Sequence, residues 1–445
     1  MEYKVVFVSN YINHHQIPFC NAMYEQLNGS FCFIQTEPME EERVKMGWNA
    51  GEQLPYLHLY YEEKELCDRL ILEAQAVLYG GTDEESYLRP RLALTRMGEK
   101  PVMRYSERLY RSGQWKMISP RGLLQKYKDH TRYRKAPVYL LCSGAYVASD
   151  FHLVRAYPKK MFRWGYFTQA KEYNTEKLFS GKGFGESKGA VPRILWAARF
   201  IPCKHPELAL RTAAYLKERK VPFHMDIIGG GLLEEEVLKV KRELDLDDCV
   251  TLRGFLTPAE VRGFMEKADI FLMTSDRIEG WGAVINEAMN SGCAVVAGHM
   301  IGAVPFLIEP EENGKIYEEG KPQELFKMTE ALCLHPEECR RLGEAAYQTI
   351  AKEWNPEEAA RRLLLLMETL GMFRKADIET CTSEAEKRKT GEAPLLKERL
   401  LLKERLLQAR SLFSAGPCSP APVIGEREMK RHLLKKQKSG KAIAK

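Results

Sequence analysis

No run of 18 apolar residues occurs in the 445-residue chain, and that absence speaks against a membrane-spanning helix. CxxC pairs are also missing. The eleven cysteines scatter from Cys20 to Cys418 in odd number and without regular spacing. This excludes a disulfide framework or a cysteine-rich zinc site as an organising device and suits a reducing cytoplasm. The start, MEYKVVFVSN, lacks a basic n-region, a long apolar h-region and a small-residue cleavage site. It reads as a buried strand, and the expectation is a cytoplasmic protein that is not secreted. What is present is an ordinary globular composition, 44% hydrophobic and 29% charged, long enough for two or three domains. The net charge of +6 is mild but uneven: residues 100–135 hold eleven Lys/Arg against two acids. Such an excess suits an anionic partner such as phospholipid, a phosphorylated acceptor or nucleic acid; the plain alternative is a solvated basic face.

Short β-rich runs alternate with helical patterns. KVVFVS (4–9), FCFIQT (31–36), AVLYG (76–80), PVMRYS (101–106) and VYLLCSG (138–144) read as buried parallel strands. Helical periodicity lies between several of them, at 18–28, 64–74, 86–97 and 119–134. A polar, Gly-rich stretch follows at 180–192 and reads as a linker or hairpin tip. The pattern then restarts with RILWAAR (193–199), FHMDIIG (223–229), VTLRG (250–254), DIFLMTS (269–275) and AVVAG (294–298), with helices between them. The expected class is α/β, with two Rossmann-like domains over 1–180 and 190–355 facing a central cleft. Helical patterns at 322–334, 336–352 and 356–372 follow. From 373 to 445 the composition turns charged, with LLKERL twice in tandem (395–400 and 401–406), PCSPAP (417–422) and a basic end. This tail is expected to be disordered or loosely helical, outside the catalytic fold.

The segment TSDRIEGWGAVINEAMNSGCAVVAG (274–298) carries the most chemistry. It leaves the end of a strand, passes Gly280 and Gly282 in a loop, and enters a helix. Glycines there let the backbone approach a ligand, and free N–H groups at a helix start favour a diphosphate. Glu279 in the loop and Glu287 eight positions on can each accept hydrogen bonds from adjacent sugar hydroxyls. Acids repel phosphate, so nearby cations are needed. Arg199 and Lys204 in RFIPCKH supply them at the end of that half's first strand; two surface cations are the plain alternative.

With these residues the second half closely resembles family-4 (group 1) glycosyltransferases of the GT-B fold. A Glu–seven residues–Glu motif stands at Glu279 and Glu287, an RxxxxK pair at Arg199 and Lys204, and DIIGGG (226–231) and IGAVPFLIEPEENGKIY (301–317) resemble the adjoining stretches. The resemblance implies a retaining transferase with no metal and no cofactor beyond its nucleotide-sugar substrate. It implies Arg199 and Lys204 on the donor diphosphate, Glu287 on the ribose, and Glu279 near the reacting carbon with the N–H groups of Trp281, Gly282 and Ala283. Gly229 and Gly230 would border the nucleotide. The helix at 356–372 would cross back onto the N-terminal domain.

The N-terminal domain, which binds the acceptor in that family, departs from its pattern. Its first loop, SNYINHHQIP (9–18), puts His14 and His15 where many members carry a Gly-Gly loop; contact with acceptor or phosphate and a capping or packing role are both open. Gly80 and Gly81 end another strand. YSERLYR (105–111) has Glu107 where many members carry a histidine; Glu107 either orients the acceptor as an acid/base group or pairs with Arg104 or Arg108. The basic, partly apolar RGLLQKYKDHTRYRK (121–135) suits an anionic membrane. Family usage then points to a polyprenyl-diphosphate-linked glycan acceptor and peripheral attachment to the inner face of the cell membrane. A GT-B sugar-nucleotide epimerase and a non-catalytic nucleotide-sugar-binding scaffold are the alternatives, and no nucleic-acid-binding motif is present.

Overall fold

The computed structural model describes residues 3–40, 54–81, 84–113, 119–184, 191–373 and 416–440. The chain divides into two compact units. One comprises Met1–Thr168 and Asn355–Val423, the other Gln169–Trp354 and Ile424–Lys445.

The first unit is built on a seven-stranded parallel sheet: β1 (Val5–Ser9), β2 (Phe31–Gln35), β3 (Leu57–Leu59), β4 (Ala76–Tyr79), β5 (Val102–Ser106), β6 (Val138–Ser143) and β7 (Met161–Trp164). Their spatial order is β3-β2-β1-β4-β5-β6-β7. Every residue of β1, β2 and β4 is buried, which is why these strands read as unbroken apolar runs: helices cover both faces. The helices include α1 (Ile17–Gln26), α2 (Lys64–Glu73), α3 (Glu84–Arg96), α4 (Pro120–Asp129) and α5 (Val147–Leu153).

The second unit holds α6 (Thr175–Ser180) and a six-stranded parallel sheet: β8 (Arg193–Ala197), β9 (His224–Ile228), β10 (Val250–Gly254), β11 (Ile270–Met273), β12 (Ala294–Gly298) and β13 (Lys315–Tyr317). The order is β10-β9-β8-β11-β12-β13. Between and after the strands run α7 (Pro206–Glu218), α8 (Glu234–Glu243), α9 (Pro258–Lys267), α10 (Val284–Asn290), α11 (Val304–Leu307), α12 (Pro322–Leu334) and α13 (Pro336–Lys352). Four of the longer ones open on proline, whose missing N–H costs nothing in a first turn and whose fixed φ suits it. Thr257 adds a capping box with Glu260 ahead of α9.

Three features depart from expectation. The first boundary falls at Thr168/Gln169, not in 180–190: Lys182 Nζ donates to the carbonyls of Met265 and Ala268 (3.3 and 2.5 Å), and Phe184 N to Asp269 Oδ1 (3.1 Å), so this segment belongs to the second unit. The expected 119–134 helix stops at Asp129, and His130 leads into a 3-10 turn. The tail is not wholly outside the fold. Pro420 bridges Phe162 of β7 antiparallel, with Arg163 N donating to Ser419 O (2.8 Å), and α15 (Glu426–Gly440) packs beside β13. The tandem LLKERL segment lies outside the described residues. Before the tail, α14 (Pro356–Thr369) is capped by Asn355, whose Oδ1 accepts from Glu358 N at 2.8 Å; it packs on α1 within the first unit.

Candidate active site

Both sheets reverse their winding after the first strand. The crossovers from β8 run outward to β9 and β10 on one side, and β11, its other neighbour, starts the opposite direction. The loops after β8 and β11 therefore diverge and leave a crevice at the strand C-termini, the place where open α/β sheets bind ligands. Those two loops carry Arg199 with Lys204, and Glu279.

A chain of hydrogen bonds sets the β8 loop. Trp196 Nε1 donates to Thr274 Oγ1 (2.7 Å), which donates to Lys204 O (2.6 Å). Asp276 N donates to Cys203 O at 3.0 Å. His205, in a left-handed conformation at φ 50°, sets Nδ1 2.9 Å from Glu207 Oε1 and Nε2 3.3 Å from Asp276 Oδ2. These contacts present the Lys204 ammonium to the Glu279 carboxylate, and the two form an ion pair with about 15% of each side chain exposed. Arg199 is exposed, and the structure gives its guanidinium no hydrogen bond or ion pair among the described residues.

Beyond Glu279 the chain turns through buried Gly280 and Gly282. Gly282 has φ 94°, a left-handed value that strains other residues, and a Cβ there would press on Ile301 and Met273 at 3.2 Å. Trp281 is buried against Phe306 and Trp354 and donates from Nε1 to Asn286 Oδ1 (2.9 Å), which pins the loop from beneath. Among the described residues, the main-chain N–H groups of Trp281, Gly282 and Ala283 donate to no protein acceptor. Glu287, in the first turn of α10, is half-buried and its carboxylate makes no hydrogen bond to another described residue. The crevice thus combines one unpartnered guanidinium, one ammonium that can exchange partners, three spare N–H donors and one spare carboxylate. Such a set recognises an anion at one end and a diol at the other.

Burial lifts the Glu287 carboxyl to about 6, with the Arg262 guanidinium of α9 pulling the other way. A carboxyl that holds its proton more tightly in the folded chain contributes its full stability below the ordinary value and loses it as pH rises through about 6. Glu287→Gln is therefore expected to leave stability unchanged near pH 4 and to raise it by about 1 kcal/mol near pH 7.5, partial solvent contact reducing the full effect. Urea unfolding at both pH values checks this, and an equal gain at both would show that ionisation is not its source.

Gly229 and Gly230 end β9 beside the same crevice. Gly229 has φ 148°, and a Cβ would collide with the Ala198 carbonyl. Phe200 N donates to Gly230 O (2.8 Å), so the β8 and β9 loops touch backbone to backbone.

The corresponding crevice of the first unit lies between β1 and β4. Ser9 and the 10–16 loop leave β1, held by Ile12 N to Gln35 Oε1 (3.1 Å) and Gln16 Nε2 to Tyr105 OH (3.2 Å). The His14 and His15 rings lie against each other, tilted by 46° with centroids 3.8 Å apart. Burial lowers His14 to about 4; burial and His14 together lower His15 to about 3. Both are neutral imidazoles at neutral pH, so they offer hydrogen bonds rather than positive charge. Gly80 ends β4 where a Cβ would enter the Tyr105 ring, and Gly81 at φ 84° faces Ser9 Oγ. Glu107, after β5, pairs with neither Arg104 nor Arg108. Its carboxylate takes Arg111 and a hydrogen bond from Tyr166 OH (3.0 Å). Arg104 is turned inward to Asp129 O (2.5 Å) and Tyr157 OH (2.7 Å). Arg108 is buried against Asp150. The sequence reading missed this buried pair, and it missed Thr274, His205 and Asp276 around Lys204; only the adjacency of TSD to the Glu279 loop hinted at them. Among the described residues no group of three or more His, Cys, Asp or Glu is placed to hold a metal ion.

Residues 184–349 match the family Glycosyl transferases group 1. The matched stretch contains the whole β8–β11 crevice. Over 183 residues the chain is 32% identical to the amylovoran biosynthesis glycosyltransferase AmsK of Erwinia amylovora, covering 40% of this chain and 45% of that protein. Over 171 residues it is 28% identical to the N-acetylgalactosamine-N,N'-diacetylbacillosaminyl-diphospho-undecaprenol 4-alpha-N-acetylgalactosaminyltransferase of Campylobacter jejuni, covering 38% and 45%. The chain thus spans about half the length of the curated relatives it matches. Among solved structures it is similar to Anabaena Alr3699/HepE in complex with UDP, with TM-score 0.60 and 14% identity, over 83% of this chain and 100% of that one. It is likewise similar to a glycosyltransferase from Rickettsia africae, with TM-score 0.59 and 14% identity over 83% and 98%. At this identity the likeness shows the fold, two parallel-sheet Rossmann-like domains of the GT-B class.

Proposed function

We propose that this protein is a family-4 glycosyltransferase that moves a sugar, with retention of configuration and without a metal, from a UDP- or GDP-sugar to a polyprenyl-diphosphate-linked glycan in surface polysaccharide assembly. The observation that carries this reading is the β8–β11 crevice. Arg199 and Lys204 are set to take the donor diphosphate and to neutralise charge growing on the leaving group. Glu287 takes the ribose diol, and Glu279 the transferred sugar, with the N–H groups of Trp281, Gly282 and Ala283. Gly229 and Gly230 border the nucleotide, and Gly280 gives the loop its turn. Relatives named for exopolysaccharide and lipid-linked glycan synthesis support the substrate class, and the UDP in a GT-B neighbour supports the donor.

On the first unit, His14, His15, Gly80 and Gly81 serve the acceptor as hydrogen-bonding and backbone groups, and Glu107 orients its attacking hydroxyl. No helix among the described residues is long and apolar enough to cross a membrane. Attachment is peripheral, on the inner face of the cell membrane, through α4. That helix exposes Leu123, Leu124 and Tyr127 (40, 57 and 56%) among Arg121, Lys126 and Lys128.

The test is nucleotide release from a panel of UDP- and GDP-sugars, with and without lipid-linked acceptor in anionic vesicles. The expected result is release from one donor that requires the acceptor and is lost in Glu279→Ala. Release without any acceptor, with the sugar's configuration inverted in place, would replace the transferase by an epimerase. Nucleotide binding with no turnover of any donor would support the scaffold instead.

A further inference from the structure

Within the loop that carries Glu279, residues 276–279 form a tight turn in which each N–H has its own acceptor. Asp276 N donates to Cys203 O (3.0 Å), Arg277 N to Glu319 Oε1 (2.9 Å), Ile278 N to Asp276 Oδ1 (2.8 Å) and Glu279 N to Asp276 O (3.1 Å). Two of these acceptors come from outside the turn. Cys203 belongs to the Lys204 loop, and Glu319 follows β13. The Arg277 side chain extends the same attachment, lying 3.7 Å from Glu319 and 3.3 Å from Glu426 at the start of α15.

Helix α15 is well seated in the second unit. Met429 and Leu433 are wholly buried, and Lys430 pairs with Glu318, the residue next to Glu319. Behind them His299, buried at the end of β12, accepts from Glu319 N at 3.1 Å. Arg277 is thus held by two carboxylates, one from the turn after β13 and one from a helix that begins 77 residues beyond the end of the stretch matching the family. A turn whose amides are all engaged has little freedom of its own, so its position follows that of its anchors.

We propose that α15 is a strap on the donor-binding turn, and that Glu426 and Glu319 are positioning residues that act through Arg277 to hold Glu279 against Lys204. The role assigned to Glu279 rests on the function proposed above; the strap itself does not. Losing the Glu426 contact frees one side of the Arg277 guanidinium, and losing α15 altogether leaves Glu319 as the turn's remaining anchor on that side.

The experiment is amide hydrogen exchange on the full-length protein, with and without UDP or GDP, for wild type, Glu426→Gln, Glu426→Asp and Met429→Asp. In Glu426→Gln the amides of Arg277–Glu279 are expected to exchange at least tenfold faster, while the α7 amides of 207–218 keep their rates. Glu426→Asp should restore most of the protection. Met429→Asp, which unseats the helix, should exceed Glu426→Gln. In turnover, Glu426→Gln should raise donor KM at least threefold; a merely structural defect would instead lower the active fraction and leave KM alone. Unchanged exchange at 277–279 in both Glu426→Gln and Met429→Asp would overturn the strap. Should Met429→Asp fail to fold, Glu426→Gln alone decides. Loosened amides in Glu426→Gln, beside a wild type that turns over no donor, would sink the transferase reading and leave the strap standing.

Discussion

Lys204→Ala is expected to lower kcat by about 10²–10³-fold and to weaken binding of free UDP or GDP, whereas Glu279→Gln should lower kcat as far and leave nucleotide binding as tight or tighter. The asymmetry follows from the ion pair. Lys204 and Glu279 hold each other in a site where only about 15% of each side chain meets solvent. A diphosphate must therefore draw the ammonium away from a carboxylate before it gains that charge. Removing the ammonium deletes a phosphate contact. Neutralising the carboxylate removes the competitor and releases Lys204 to the ligand, yet it offers a sugar one neutral amide oxygen in place of a charged two-oxygen acceptor. Calorimetric titration with UDP and GDP, paired with turnover, separates the two. Equal loss of nucleotide binding in both variants would show that the pair acts as one structural unit and not as a switchable partner set.

Asp150→Ala is expected to destabilise the first unit by about 3–5 kcal/mol. Asp150 and Arg108 have no exposed side-chain surface; Arg108 Nε and Nη2 each approach the carboxylate at 3.2 Å, and Tyr110 N donates to it at 3.1 Å. The guanidinium also lies 5.0 Å over the Tyr146 ring. Removing the carboxylate takes from a buried guanidinium its Asp150 contacts and unfastens the strand exit that carries Glu107. Replacing both members with apolar residues, Arg108→Met with Asp150→Leu, should recover most of the loss, because desolvating an unpaired charge is the larger penalty. Thermal unfolding of the three variants checks it. A loss below about 1 kcal/mol in Asp150→Ala would mean that water reaches the pair.

Much of this protein was readable along the chain. The central strands announced themselves because helices on both faces make each residue apolar, as in VVFVS of β1 and AVVAG of β12. Of the four edge strands, β10 was legible as VTLRG, but β3, β7 and β13 were not. LHL (57–59), MFRW (161–164) and KIY (315–317) are too short for any periodicity and mix polar with apolar residues. The helix at 258–267 begins on a signal written in local chemistry, Thr257, Pro258 and Glu260. PCSPAP, expected to lie in a tail outside the fold, makes an antiparallel edge contact with β7; such a contact leaves no local mark.

For the site, sequence determined which residue types stand at each strand exit: Arg199 and Lys204 after one strand, Glu279, the glycines and Glu287 after another. Those are local matters of turn chemistry and spacing. Tertiary structure decided which of them meet. Lys204 and Glu279 stand 75 positions apart and touch because β8 and β11 are sheet neighbours at the reversal of winding. Glu107 finds Arg111 and Tyr166 while Arg104 and Arg108 turn inward, because burial of a guanidinium demands partners only the packed interior provides. Arg277 meets Glu426 across 149 positions because α15 has an apolar face to bury beside β13. Pairings of this range depend on the three-dimensional path of the chain, and no local signal encodes them.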